Sequence, residues 1–263
     1  MRYTVLSLFP EMMDAFFAGS IIAKAISRGI IAYRSVNIRD FADDKHRTCD
    51  DAPYGGGPGM LMMAEPLGRA LESVGAWNRL EPRGVVPAGT KPRVIYLSPS
   101  GRPFTQNKAE ALAREPELIL LCGRYEGIDQ RIIDAFVDDE ISIGDYVLSS
   151  GEAAALVVID ATYRLVDAVI TPASLEEESF SGGLLEYPQY TRPEMYGMLK
   201  VPEILLSGHH ENIRRWRLTK RVEKTRALRP DLIRRGEEAG FFDEETRNII
   251  AALQGTAGSE GEI

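Results

Sequence analysis

Four short segments rich in glycine and serine are the parts of this sequence best suited to bind a ligand through the main chain. Residues 53–60 hold four glycines within five positions, and residues 97–101, 122–127 and 142–152 each put glycine or serine directly after a predicted strand. Glycine has no Cβ, so a planar ring or a ribose can approach its N–H and C=O groups closely. Ligands of open parallel sheets bind at the carboxyl ends of the strands, so the four segments together predict one cleft. For residues 53–60, a mobile surface loop is the alternative.

Sequence signatures of several other enzyme classes are missing. The chain has no GxxxxGK[ST], no GxGxxG after a strand, no HExxH and no GxSxG, which argues against nucleoside triphosphatases, standard dinucleotide enzymes, zinc hydrolases and serine esterases. Cys49 and Cys122 lack metal-ligand spacing and are predicted to be reduced thiols. With neither a signal peptide nor an uncharged stretch of membrane-spanning length, the protein is predicted to be soluble and cytoplasmic.

Charge is distributed unevenly along the chain. The formal net charge of -8 argues against a nucleic-acid partner, but residues 207–235 carry ten bases and three acids, a net charge of +7. Residues 134–160 carry seven acids and no lysine or arginine. This asymmetry predicts that contact with a polyanion is concentrated in the second half. Two solvated helical faces of opposite sign would explain the same pattern, so both interpretations stay open.

Alternating apolar runs and helical patterns predict the elements that position these segments. Predicted strands lie at 3–9, 31–38, 93–97, 117–122 and 140–143, and predicted helices at 10–28, 65–77, 106–114, 129–136 and 152–163. They favour an α/β fold with a parallel sheet covered on both faces. The predicted regions are an α/β domain (1–165), a flexible interdomain linker (166–190), a small all-helical domain (191–252) and a disordered tail (253–263).

Several longer motifs follow one another in order: PYGGGPGMLM, YLSPSG, CGRYEGID, SIGDYVLSSGE, YPQYTRPE and LSGHHENIRRWR. From residue 1 to about residue 252, the sequence resembles the bacterial tRNA (guanine-N1)-methyltransferases of the SPOUT superfamily. The resemblance implies a parallel-sheet SPOUT domain with a deep C-terminal trefoil knot, S-adenosylmethionine as methyl donor, and a homodimer with active sites at the subunit interface. It also implies a helical domain that holds tRNA, and methylation of the guanosine immediately 3′ of the anticodon. Mg²⁺ is implied by the resemblance alone, since the sequence shows no metal site.

The resemblance places the methyl donor on the three segments that follow strands. Along the adenosine it implies Tyr96, Leu97, Ser98, Pro99 and Gly101, and beside the ribose and methionine it implies Gly123, Tyr125 and Glu126. Over the adenine it implies Ser142, Ile143, Gly144, Tyr146, Leu148, Ser150 and Gly151. Ser150 departs from the family pattern, which has glycine there and so leaves more room near the adenine.

Two residues are implied to act on the guanine. The resembling enzymes place an aspartate, the general base, where this chain has Glu178, so the base here has one more methylene and a similar pKa. Arg164 matches an arginine that stabilises the anionic guanine from the partner subunit. Residues 167–171 also depart from the family pattern. A merely solvated acidic segment is the alternative for the stretch around Glu178.

RNA contact is predicted chiefly on one helical face. Arg214, Arg217, Arg221 and Lys224 are spaced by three, four and three residues, which aligns them along a helix. Further predicted RNA contacts are His46, Arg47, Gly55, Gly56, Gly57 and Arg192. Trp216 fits a core position better than a platform for bases, although both interpretations stay open.

Two other functions compete with this hypothesis. One is a SPOUT methyltransferase that acts on another RNA, which the last two motifs disfavour because they lie in the family-specific C-terminal half. The other is a catalytically silent RNA-binding homologue, which Glu178 and Ser150 make plausible as departures from the family pattern. A nucleotide-dependent oxidoreductase has no supporting signature.

Overall fold

The structure of the protein is a computed structural model that describes residues 1–80, 91–171 and 177–256. Contacts between Cα atoms divide the chain into two compact units, Met1–Ile170 and Thr171–Ile263, and each unit is described by itself. No helix in these described ranges combines the length and the apolar character needed to cross a membrane.

The first unit is built on a parallel sheet of five strands. The strands are β1 (Arg2–Ser7), β2 (Ala32–Asn37), β5 (Arg93–Pro103), β6 (Glu117–Cys122) and β7 (Asp139–Ser142), in the order β2-β1-β6-β5-β7. Every neighbouring pair is parallel. The predicted α/β class and parallel sheet are therefore confirmed, and the ends of β5, β6 and β7 lie side by side.

Helices cover both faces of this sheet. They are α1 (Glu11–Phe17), α2 (Ser20–Ser27), α3 (Ala64–Ser73), α4 (Gln106–Ala113), α5 (Gln130–Phe136) and α6 (Glu152–Tyr163). Successive strand residues point to opposite faces, so Leu118 and Leu120 join one buried cluster with α6, while Ile119 and Leu121 join a second cluster with α3 and α5. Burial on both faces explains why these strands read as continuous apolar runs.

Several element boundaries differ from the prediction. The helix predicted over 10–28 is two helices, because Gly19 is extended (φ -109°, ψ 158°) and caps the second one. A 3-10 helix, Ile38–Phe41, overlaps the start of the loop predicted over 40–63. The same loop contains a short antiparallel pair, β3 (Asp50–Asp51) with β4 (Leu61–Met62). Strand β5 runs on to Pro103 rather than ending at Leu97, since it resumes its pairing with β7 after an irregularity.

The second unit has four described α-helices, three of which contribute to a small apolar core. The four helices are α7 (Glu203–Leu206), α8 (His210–Leu228), α9 (Pro230–Glu238) and α10 (Glu244–Thr256), preceded by the hairpin β8 (Met195–Tyr196) and β9 (Leu199–Lys200). The core consists of Leu184, Val222 of α8, Ile233 of α9, Phe242 and Ile250 of α10. Helix α10 includes residues 253–256, which were predicted to belong to the disordered tail. Leu184, inside the predicted flexible linker, is 2% exposed, so this part of the segment is anchored by burial.

Candidate active site

A cavity of about 310 Å³ opens at the carboxyl ends of β5, β6 and β7. Three of the four predicted ligand segments line it, with the residues Tyr96, Leu97, Ser98, Pro99, Gly123, Tyr125, Glu126, Ser142, Ile143, Gly144, Tyr146, Leu148, Ser150 and Gly151. The fourth segment, 53–60, is not part of this lining. It contacts segment 122–127, where Met60 accepts a hydrogen bond from the Glu126 N–H (3.0 Å).

Glycines allow the three loops to approach one another. A Cβ on Gly151 would lie 2.8 Å from Cys122 Cα, and a Cβ on Gly123 would lie 2.8 Å from the Tyr96 ring. Both positions therefore require glycine for steric reasons. Gly101 was implied to contact the donor, but it does not line the cavity. A Cβ there would meet the backbone of Ile141 at 2.5 Å, so this glycine permits β5 to pass close to β7.

Hydrogen bonds fix the loops around the cavity. The Gly151 N–H donates to the Gly123 carbonyl (2.8 Å), which ties the start of α6 to the end of β6. Ser142 Oγ lies 3.0 Å from the Gly144 oxygen and donates to it, closing a tight turn in the third loop. Main-chain groups, together with the Ser142 hydroxyl, thus hold the shape of the cleft.

Side chains that line the cavity add a few chemical groups. Burial is the main cause that raises the pKa of Tyr96 above its ordinary value, so the phenol stays neutral and can donate a hydrogen bond. Arg124, which sequence reasoning did not select, also lines the cavity, and its guanidinium carbon lies 4.6 Å from the centre of the Phe9 ring. Its place two residues after the end of β6, inside one of the predicted ligand segments, was the available signal for including it.

The two implied catalytic residues belong to different units. Arg164 follows the last residue of α6 and is half-buried in the first unit. Glu178 is half-buried in the second unit, where its carbonyl accepts a hydrogen bond from the Ser181 N–H (3.1 Å).

The four predicted RNA-binding cations all lie on α8, as the spacing indicated, but their surroundings differ. Arg214 pairs with Glu211 and Glu245, each at 2.7 Å. Arg217 and Arg221 contact residues 177–187 of the same unit, whereas Lys224 is exposed. Trp216 is half-buried, with its ring 6.4 Å from that of Tyr190.

The remaining predicted RNA contacts are exposed. His46 and Arg47 precede the glycine segment, and Arg47 forms an ion pair with Asp40 (3.0 Å). Gly55, Gly56 and Gly57 all have positive φ angles and no atom within 4 Å of a Cβ built on them. Arg192, just before the β8–β9 hairpin, is exposed as well. Exposure is compatible with a macromolecular partner at each position.

Comparison with known proteins decides the family. A family model described as tRNA (Guanine-1)-methyltransferase TrmD matches residues 1–235. The chain belongs to this family. It is 59% identical over 254 residues to the tRNA (guanine-N(1)-)-methyltransferase of Treponema denticola, covering 97% of this chain and 99% of that protein. It is 54% identical to the proteins of the same name from Treponema pallidum (96% of each chain) and Borrelia garinii (92% of this chain, 98% of that one).

Family membership confirms the resemblance drawn from the motifs and makes the protein a methyltransferase. It does not by itself supply a metal site. Among the described residues, no group of three or more histidine, cysteine, aspartate or glutamate side chains is placed to hold a metal ion. The described residues thus show no cluster that would hold Mg²⁺ by itself, and no chemical step is assigned to Mg²⁺.

Proposed function

We propose that this protein transfers the methyl group of S-adenosylmethionine to N1 of the guanosine immediately 3′ of the anticodon in tRNA. The observation that carries the proposal is the cavity walled by three glycine- and serine-rich loops at the ends of β5, β6 and β7. A cleft of this kind suits an adenosine, because its walls offer main-chain donors and acceptors at close range. The relatives named tRNA (guanine-N(1)-)-methyltransferase supply the reaction and the RNA.

The residues of the cleft fit the donor by shape and by hydrogen bonding. Gly123 and Gly151 let the loops pack closely enough to form the cleft, and Tyr146 and Leu148 are 54% and 40% exposed where they line it. When bound, S-adenosylmethionine supplies a methyl group on a positively charged sulfur. We further infer that these loops form the deep trefoil knot of SPOUT enzymes, an inference supported by family membership and by their close mutual packing.

Glu178 and Arg164 provide the chemistry at the guanine. Guanine N1 carries a proton at neutral pH, so the Glu178 carboxylate accepts this proton as N1 takes the methyl group. General-base catalysis of this kind contributes about 10²–10⁴-fold. The Arg164 guanidinium stabilises the negative charge that develops on O6, since charge stabilisation acts most strongly where charge appears in the transition state.

Two further features concern the partners. The first unit exposes the apolar side chains Tyr54 (100%), Val147 (84%) and Val157 (46%), and Val147 lines the cleft. This exposure supports a homodimer whose active sites lie at the subunit interface. The helical second unit is the tRNA-binding domain in this proposal, and the exposed cation Lys224 of α8 is its first candidate contact. Arg214 is exposed as well, but it is paired with Glu211 and Glu245. The target guanine leaves its stack at a cost of a few kcal/mol. A tRNA substrate places the protein in the cytoplasm.

Label transfer tests the proposal. The purified protein is incubated with methyl-labelled donor and two tRNA transcripts, one with guanosine 3′ of the anticodon and one with adenosine there. We expect label in the first transcript only. If donor and tRNA both bind in separate binding assays but no label is transferred, the protein is a catalytically silent RNA-binding homologue. Label in both transcripts would point to a different target base.

A further inference from the structure

The segment that carries Glu178 is fastened to helix α8 through its main chain. We name residues 177–187 the Glu178 segment. Arg221 Nη2 donates to the Ser181 carbonyl (2.6 Å), and Arg221 Nε donates to the Leu185 carbonyl (3.3 Å). The Ser181 N–H in turn donates to the Glu178 carbonyl (3.1 Å). A single residue therefore separates the Arg221 guanidinium from the backbone of the proposed base.

A second arginine, one helical turn earlier, holds the two ends of the same segment. The Arg217 guanidinium lies 4.8 Å from the centre of the Tyr187 ring and 3.5 Å from the Glu177 carboxylate. The Tyr187 hydroxyl donates to that carboxylate (2.7 Å). These contacts bring Glu177 and Tyr187, the two ends of the segment, together, and Glu178 directly follows Glu177 in the chain.

The core of the unit supports these contacts. Leu184 is buried against Val222 of α8, and the Leu185 N–H donates to Thr225 Oγ1 (2.9 Å). Burial is also the largest influence on Arg221, and it lowers the pKa of the guanidinium from its ordinary value. A phosphate contact needs an exposed cation, whereas Arg221 is half-buried and directs two donors to the protein's own carbonyls.

We infer that Arg221 and Arg217 are positioning residues for Glu178 rather than contacts for RNA, the role that their spacing on α8 predicted. The inference rests on the proposed function, in which Glu178 is the base. A planar guanidinium can reach two carbonyls at once, and a lysine ammonium offers only a single point charge. Placement of a base matters because a shift of about 1 Å can cost about 10²-fold in rate.

Kinetics and RNA binding together distinguish the two roles. We expect Arg221→Ala to lower the single-turnover methylation rate at saturating tRNA by about 10²-fold, and Arg221→Lys to lower it less. The Kd for tRNA should stay within about twofold of wild type, with the same dependence on salt. Lys224→Ala is the matched change of an exposed cation one turn along α8. It should instead weaken tRNA binding and make the fall of log K with log salt less steep, by about 0.7–0.9 in slope.

Two controls separate positioning from general damage to the fold. In a Glu178→Ala background, Arg221→Ala should have little further effect on rate, because both changes remove the same contribution. Hydrogen exchange should show lost protection at Ser181 and Leu185 in Arg221→Ala but not in Lys224→Ala. If Arg221→Ala does not fold, the same rate and exchange measurements are made on Arg221→Lys and Tyr187→Phe.

The opposite pattern would overturn the inference. Unchanged rate with weaker tRNA binding and a smaller salt slope in Arg221→Ala would make Arg221 an RNA contact. A full further loss of rate in the Glu178→Ala background would show that Arg221 acts independently of Glu178. Absence of methyl transfer by the wild type would instead reject the proposed function, and this inference with it. The wild-type assay is therefore done first, because it distinguishes failure of the proposed function from failure of the positioning role.

Discussion

The cleft of the first unit and the Glu178 segment of the second are built by different means. The cleft is shaped by backbone, with Gly123 and Gly151 at positions where any Cβ would collide with a neighbouring strand or ring. The Glu178 segment is held by long side chains, Arg217 and Arg221, that reach across from α8. The glycines that shape the cleft lie within its own loops, whereas the side chains that hold the Glu178 segment lie about 40 positions away from it.

The largest effect we predict is at the base. Glu178→Ala should lower the methylation rate by about 10²–10⁴-fold, because no carboxylate is left to accept the N1 proton. Binding of donor and tRNA, measured separately by calorimetry, should be retained. Glu178→Asp introduces the residue of the family pattern and serves as the control, because it keeps the carboxylate on a side chain one methylene shorter. A rate for Glu178→Ala near that of wild type would remove Glu178 from the mechanism.

A smaller loss is predicted when the backbone-built site is altered. Gly151→Ala would put a Cβ 2.8 Å from Cys122 Cα, so β6 and the start of α6 must move apart. We expect the Kd for the donor to rise by about tenfold or more, equivalent to at least about 1.4 kcal/mol, while tRNA binding is kept. Gly19→Ala is the matched control, since its Cβ has only one neighbour, 3.8 Å away. Equal donor affinity in both variants would contradict the steric explanation of the cleft.

The smallest predicted effect concerns stability of the second unit in acid. Hydrogen bonds from Arg229 lower the pKa of Asp231 from 3.8 to about 2. Because the folded pKa is depressed, the contribution to stability is present above pH 3.8 and is lost as the pH falls through about 2. Asp231→Asn should flatten the fall in melting temperature of the protein between these two pH values. An unchanged pH profile in that variant would show that the Arg229 contact contributes nothing to stability.

Much of the first unit could be predicted from sequence because its signals are local. Strand β6 and helix α6 begin and end where the apolar patterns do, at Glu117–Cys122 and Glu152–Tyr163. The extension of β5 to Pro103 was missed because glycine and proline interrupt its apolar run before pairing with β7 resumes. The spacing of the α8 cations showed that they share a face, but not that residues 177–187 contact part of that face.

The most direct test of the central claim is the chemical identity of the methylated nucleoside. After reaction with unlabelled donor, the tRNA is digested and its nucleosides and oligonucleotides are analysed by mass spectrometry. The account predicts N1-methylguanosine, found only in the fragment that contains the residue immediately 3′ of the anticodon. A 2′-O-methylated nucleoside, a methyl group at another guanine position, or N1-methylguanosine elsewhere in the tRNA would contradict it.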